Sequence, residues 1–150
     1  MTRTRPPRTH FVGCGRLGLT LGRLFVRAGS IEPGLIVTRS PESAAAACAS
    51  LGGGRASDSL DELDAADLIF LLTPDADLGA VTTALAVNHA ALDGAAVVHA
   101  SGAISSEILS PLRERGASVA SIHPIRSFSH AERSDDVLDG VVCGAEGDAE

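Results

Sequence analysis

The 150-residue chain contains no lysine, no tyrosine and no tryptophan, and only four phenylalanines. A catalytic tyrosine–lysine pair therefore cannot be assembled within it, and a lysine general acid would have to come from elsewhere. Its three cysteines, Cys14, Cys48 and Cys143, are scattered and include no Cys-x-x-Cys pair. That argues against a disulfide framework and against a structural zinc. No close-spaced ligand pair such as H-x-x-x-H occurs either, so no metal is expected. No apolar run approaches the roughly 20 residues that a bilayer span needs. The opening MTRTRPPRT is basic but has no apolar segment behind it, unlike a secretory leader. Residues 1–8 read as a flexible basic tail. A net charge of −7 disfavours nucleic acid and anionic membranes as partners, since both want basic surface. The expected compartment is the cytoplasm.

What is present is a regular alternation. Hydrophobic residues make up 45% of the chain, enough for one core. Apolar runs at 10–12, 34–37, 67–74, 95–102, 118–124 and 140–145 predict six strands. Between them lie helical stretches. RLGLTLGRLFVRAG places Leu17, Leu21, Leu24, Phe25 and Ala28 at helical spacing, with Gly29 as the stop. Ser40 and Pro41 open a second helix and Gly52 follows its end. DSLDELDAA predicts a short helix or turn, 75–86 a helix, and 105–116 a helix shortened or kinked by Pro111. Strand and helix in alternation mean a parallel sheet with helices on both faces. The expected class is α/β, doubly wound and mostly parallel with six strands, a single domain over residues 9–150.

GCGRLG then supplies Gly13, Gly15 and Gly18, a G-x-G-x-x-G between a strand and a helix. In that context it is the dinucleotide-binding fingerprint of a Rossmann sheet. Gly13 allows the tight turn, Gly15 lets the backbone approach a pyrophosphate, and Gly18 lets helix and strand pack. The N–H groups from Arg16 and Leu17 onward would face the diphosphate. A glycine-rich turn without a ligand is the alternative. The second strand ends Thr38-Arg39-Ser40, where an NAD site usually carries an acid. An arginine between two hydroxyls would hold a 2′-phosphate by charge-assisted hydrogen bonds, which points to NADP. A solvated arginine beside a capping serine is the other reading.

Ligands of open α/β sheets bind outside the carboxyl ends of the strands. There the third strand presents Leu72, Thr73 and Pro74, the expected lining of the nicotinamide side. The fourth ends with His99 and Ser101, the fifth with His123. Hydride transfer to a carbonyl or imine needs a nearby proton donor, and histidine suits neutral pH. His123 is the first candidate for that role, Ser101 a hydrogen-bond partner of substrate or cofactor, and His99 the second candidate. Packed structural histidines, and a serine that merely starts a turn, are the alternatives.

Four stretches together, FVGCGRLGLTLGRLF, LLTPD, VVHASGAISSEIL and SIHPIRSF, resemble bacterial Rossmann-like proteins that carry a C-terminal domain of unknown function. More distantly the chain is similar to pyrroline-5-carboxylate reductase, F420-dependent NADP reductase and prephenate dehydrogenase. The resemblance runs over about residues 9 to 148. It implies an NADP-dependent oxidoreductase acting on a small carbonyl, imine or hydroxy compound, with an unidentified small-molecule substrate. It also implies active-site positions at Ser101 and His123, and a homodimer as one assembly. The relatives continue into a helical domain that closes the site. This chain stops short of that domain, so either it is a piece of a longer protein or a partner supplies the missing wall, and catalysis is expected to depend on that second part. A non-catalytic dinucleotide-binding sensor or regulatory module is the alternative.

Overall fold

Strands and helices alternate along the residues that the computed structural model describes, 5–128 and 138–148. The strands are β1 (Arg8–Val12), β2 (Glu32–Val37), β3 (Arg55–Ser57), β4 (Leu68–Leu71), β5 (Ala96–His99), β6 (Ser118–Pro124) and β7 (Cys143–Gly147). The helices are α1 (Arg16–Arg27), α2 (Pro41–Leu51), α3 (Asp75–Leu85), α4 (His89–Leu92) and α5 (Ser110–Arg113). One sheet has the order β3-β2-β1-β4-β5-β6-β7. Its first six strands run parallel, and β7 pairs antiparallel with β6. This is the doubly wound order, with its reversal between β1 and β4.

The side-chain alternation of each central strand feeds two cores. Val12, Leu35, Val37, Ile69, Leu71, Val97 and Val119 face one side, with Leu78 and Leu85 of α3 and with Leu112 of α5. Phe11 and Ile36 face the other, with Ala47 and Leu51 of α2. A parallel strand covered on both faces favours apolar residues on both, which is why LIFL of β4 shows no polar alternation. Phe70 stands between Phe11 and Phe25, with ring centroids 5.5 and 6.3 Å away. Helix α2 starts as its sequence demands: the Ser40 side chain accepts from the Ser43 N–H at 3.2 Å, Pro41 follows, and Gly52 closes it at φ +83°.

Several sequence expectations change. The sheet has seven strands rather than six. Strand β3 escapes the sequence pattern because three residues beside Gly52–Gly54 carry no period of their own; its pairing with β2 makes it a strand. The last strand lies at 143–147 rather than 140–145 and runs antiparallel. The 105–116 helix is a 3-10 turn, Ser106–Leu109, followed by the single turn of α5. Arg8, expected in the tail, is already in β1, where its N–H donates to Asp67 at 2.8 Å. Residues 1–4 of that tail lie outside the described residues. No helix among the described residues is long and apolar enough to cross a membrane.

Candidate functional site

The carboxyl ends of β1, β2, β4 and β5 open onto one cleft of about 1120 Å³. It sits over the reversal of strand order, where doubly wound sheets take their ligands.

The glycine loop forms its floor. Gly13 turns the chain at φ +82°, and its N–H donates to Val37 O at 2.8 Å. A side chain there would place its Cβ 2.8 Å from backbone atoms of Leu72 and Thr73. Gly15 differs. It has an ordinary φ of −79°, and a Cβ on it would meet nothing within 4 Å. The space beside it belongs to the cleft. Gly18 packs closely: a methyl on it would lie 3.3 Å from Leu72 Cδ1 and 3.4 Å from Cys14 Sγ. Helix α1 begins at this loop with no side-chain cap and no acid in its first turn. Its first bond, Leu19 N–H to Gly15 O, leaves the N–H groups of Arg16, Leu17 and Gly18 without an intrahelical acceptor. Partial positive charge gathers there. Burial, with Cys48 nearby, pushes the Cys14 thiol up to about 12. It packs as an apolar group beneath the loop and offers no thiolate.

At the β2 end, Arg39 is exposed to the cleft and makes no hydrogen bond or ion pair among the described residues. Its two hydroxyl neighbours differ from expectation. Thr38 Oγ1 donates to Ser40 O at 2.9 Å, so its proton is committed to the turn. Ser40 Oγ accepts from Ser43 N–H, which leaves its own proton free. One hydroxyl rather than two therefore stands ready as a donor. Asp58 also lines this end, a residue that the sequence pattern does not single out. Its signal is hidden with β3: once Arg55–Ser57 is a strand, Asp58 is the residue just past its carboxyl end.

Leu72, Thr73 and Pro74 line the middle of the cleft, and the Thr73 hydroxyl is buried with no partner among the described residues. Asp75 and Asp77, in the first turn of α3, line it as well. Their charges complement that helix's dipole.

The β5 end supplies His99, Ala100 and Ser101. His99 is buried, and its Nδ1 accepts the Ser101 N–H at 3.1 Å. The ring proton therefore sits on Nε2, which is buried without a hydrogen-bond partner among the described residues. Burial lowers its pKa, against an opposing pull from the Ser105 backbone and from Asp75 and Glu146. A neutral ring of fixed tautomer results. Ser101 Oγ accepts from Ala103 and Ile104 N–H groups at 3.2 and 3.1 Å, building the turn while keeping its own proton free. His123 stands on the next strand, outside the residues lining the cleft. Its Nδ1 donates to Ala100 O at 3.1 Å, which leaves the Nε2 lone pair open. That ring lies on Gly102, where a Cβ would fall 2.5 Å from Nε2. Ser121 Oγ, donating to Ser101 O at 3.3 Å, joins the same two strand ends. Ser101 and His123 are thus brought to one loop, while His99 is held beneath it. Among the described residues no three His, Cys, Asp or Glu side chains gather as a metal-binding group.

Known proteins place this architecture. No curated protein matches the chain in sequence. A Bacteroides fragilis protein named "putative NADP oxidoreductase" superposes with a TM-score of 0.80 at 17% identity, over 95% of this chain and 52% of that one. Prephenate dehydrogenase from A. aeolicus, solved with hydroxyphenyl propionate and NAD+, gives 0.71 at 17% identity, over 94% and 50%. Arogenate dehydrogenase from Synechocystis gives 0.67 at 22% identity, over 81% and 42%. The chain spans about half the length of these neighbours, and at such identities the likeness is one of fold. The Rossmann-like domain family matches residues 2–124, and the chain belongs to that family.

Proposed function

We propose that this cleft binds NADP, as the cofactor-binding part of an oxidoreductase that moves hydride to or from a small carbonyl, imine or hydroxy compound. The observation that carries the reading is the open space at Gly15 beside three N–H groups that lack an intrahelical acceptor. A diphosphate fits that combination of vacancy and positive potential. Arg39 and the Ser40 hydroxyl would take a 2′-phosphate, and the nicotinamide would lie toward Thr73 and Ser101. The bound cofactor would supply or accept the hydride. The Nε2 lone pair of His123 and the Ser101 hydroxyl are the groups at that end suited to holding or accepting a proton.

Replacing Gly15 with Ala tests this. The variant is expected to fold, losing about 0.5–1 kcal/mol at the helix cap, because the new methyl meets no protein atom. Its affinity for NADPH in calorimetry should fall at least tenfold, since the methyl occupies the approach to the phosphates. Unchanged affinity would remove the diphosphate from this loop. Wild-type protein should bind NADPH more tightly than NADH, and the reverse order would overturn the role of Arg39.

One observation favours the alternative, a dinucleotide-binding sensor without catalysis: His123 lies outside the cleft lining, with Nδ1 held by the backbone. The two readings separate by NMR. If His123 serves the reaction, its ring signals shift when NADPH binds. Unmoved signals with NADPH bound favour the sensor.

A further inference from the structure

The β2–β3 end of the cleft carries two opposite charges that leave each other alone. Arg39 and Asp58 both line it and both are exposed. No ion pair joins them, and neither has another partner among the described residues. Asp58 is held out by its neighbours: Ser57 is buried, and its hydroxyl accepts the Ser59 N–H at 3.0 Å, closing a tight turn with residue 58 at its tip. Thr38 N–H donates to Ser57 O at 3.1 Å, so that turn is fastened to the start of the Thr38–Ser40 segment. Ser43 and Leu60 complete the wall.

Rim charges left unpaired on one wall suit a ligand that has both an anionic group and a hydrogen-bond donor there. A carboxylate offers nothing to a 2′-phosphate. A carboxylate meant for a ribose 2′-OH stands at the end of β2 itself, where this chain has Thr38-Arg39-Ser40. The sheet order carries the cleft from β2 outward to β3. In a dinucleotide laid with its diphosphate on α1 and its ribose at the β2 end, the next group outward is the base. Adenine presents an exocyclic amine, a donor that a carboxylate accepts strongly, and its ring can lie between the Arg39 guanidinium and Leu60.

We infer that Asp58 is a specificity-determining residue that reads the base of the bound dinucleotide, by accepting a hydrogen bond from the adenine amine. The inference rests on the NADP reading above and deepens it. Asp58 has no partner among the described residues, so Asp58→Ala leaves the fold intact. The probes are NADPH and its hypoxanthine analogue, in which a carbonyl replaces the amine. Calorimetry on wild-type protein should show NADPH preferred by about tenfold or more, the range of a hydrogen bond to a charged group. Asp58→Ala should bring the ratio near one by weakening NADPH, and Asp58→Asn, whose amide offers an acceptor to the amine and a donor to the carbonyl, should bind both cofactors more tightly than Asp58→Ala while the ratio stays near one. A wild-type ratio near one, or a ratio that Asp58→Ala leaves unchanged, overturns the inference while NADP binding stands. Tighter NADPH binding by Asp58→Ala at an unchanged base ratio also overturns it, and makes the carboxylate a repellent of the 2′-phosphate. Binding of no dinucleotide by the wild type overturns the NADP reading, and the inference with it.

Discussion

Gly13→Ala is expected to destabilise the domain by about 2–5 kcal/mol and to abolish dinucleotide binding. Two costs combine. A residue with a Cβ at φ +82° occupies the left-handed region, at about 1–2 kcal/mol. The Cβ also falls 2.8 Å from the Leu72 carbonyl carbon and the Thr73 nitrogen. Those are backbone atoms at the end of central strand β4, tied back to β1 by the Leu72 N–H to Val12 O bond of 2.8 Å. They cannot swing aside as a side-chain terminus can, and forced overpacking adds about 1–3 kcal/mol. Urea denaturation of wild type and variant measures the first effect, NADPH calorimetry the second. A loss below about 1 kcal/mol would mean the loop relaxes away from β4. The comparison with Gly15→Ala separates the two glycines: one is required by the protein's own backbone, the other by space for a ligand.

That distinction marks how far the sequence is legible. The spacing of Gly13, Gly15 and Gly18 predicts one loop, and one loop forms. The apolar run of β4 and the Val97–Val98 step of β5 announce themselves because strands covered on both faces favour apolar residues. Strand β3 does not, since RAS gains its strand from hydrogen bonds to β2 rather than from its own pattern. Asp58 is hidden with it. Nor does spacing reveal where a hydroxyl spends its proton. Thr38 and Ser40 look alike as letters, yet one donates into its own turn and the other is free. His123 stands at a strand end as its sequence predicts, but its ring direction depends on the bare Gly102 beneath it, a contact between segments 21 residues apart in number.

Gly34→Ala should be as damaging as the loop substitution, although Gly34 lies outside the cleft lining. Strands β1 and β2 slip by one residue between Thr9 and Phe11, so His10 on β1 stands against a bulge at Gly34 and Leu35. The buried imidazole fills it. Its Nδ1 accepts the Leu35 N–H at 2.8 Å, and its Nε2 donates to Asp64 O at 3.0 Å. A methyl on Gly34 would land on this ring, which both bonds hold in place. The expected loss is about 2–4 kcal/mol from overpacking and broken bonds together. His10→Leu should cost a similar amount, by stranding the buried Leu35 N–H and removing the bond to the Asp64 carbonyl. The same ring gives stability a pH dependence of known sign. Burial holds its pKa below the ordinary value of 6.5, although Asp64 pulls it upward. Unfolded protein therefore binds a proton that folded protein does not. Stability is full above about 6.5 and falls as pH drops through the folded value, by at most about 1.4 kcal/mol per pH unit for one such group. His99, lowered by burial as well, adds to the slope in the same direction. Urea midpoints measured between pH 7.5 and 5 should decline in the wild type, and the decline should be shallower in His10→Leu, where only the His99 contribution of the pair remains. An equal slope in both proteins would show that His10 takes up its proton without leaving the bulge.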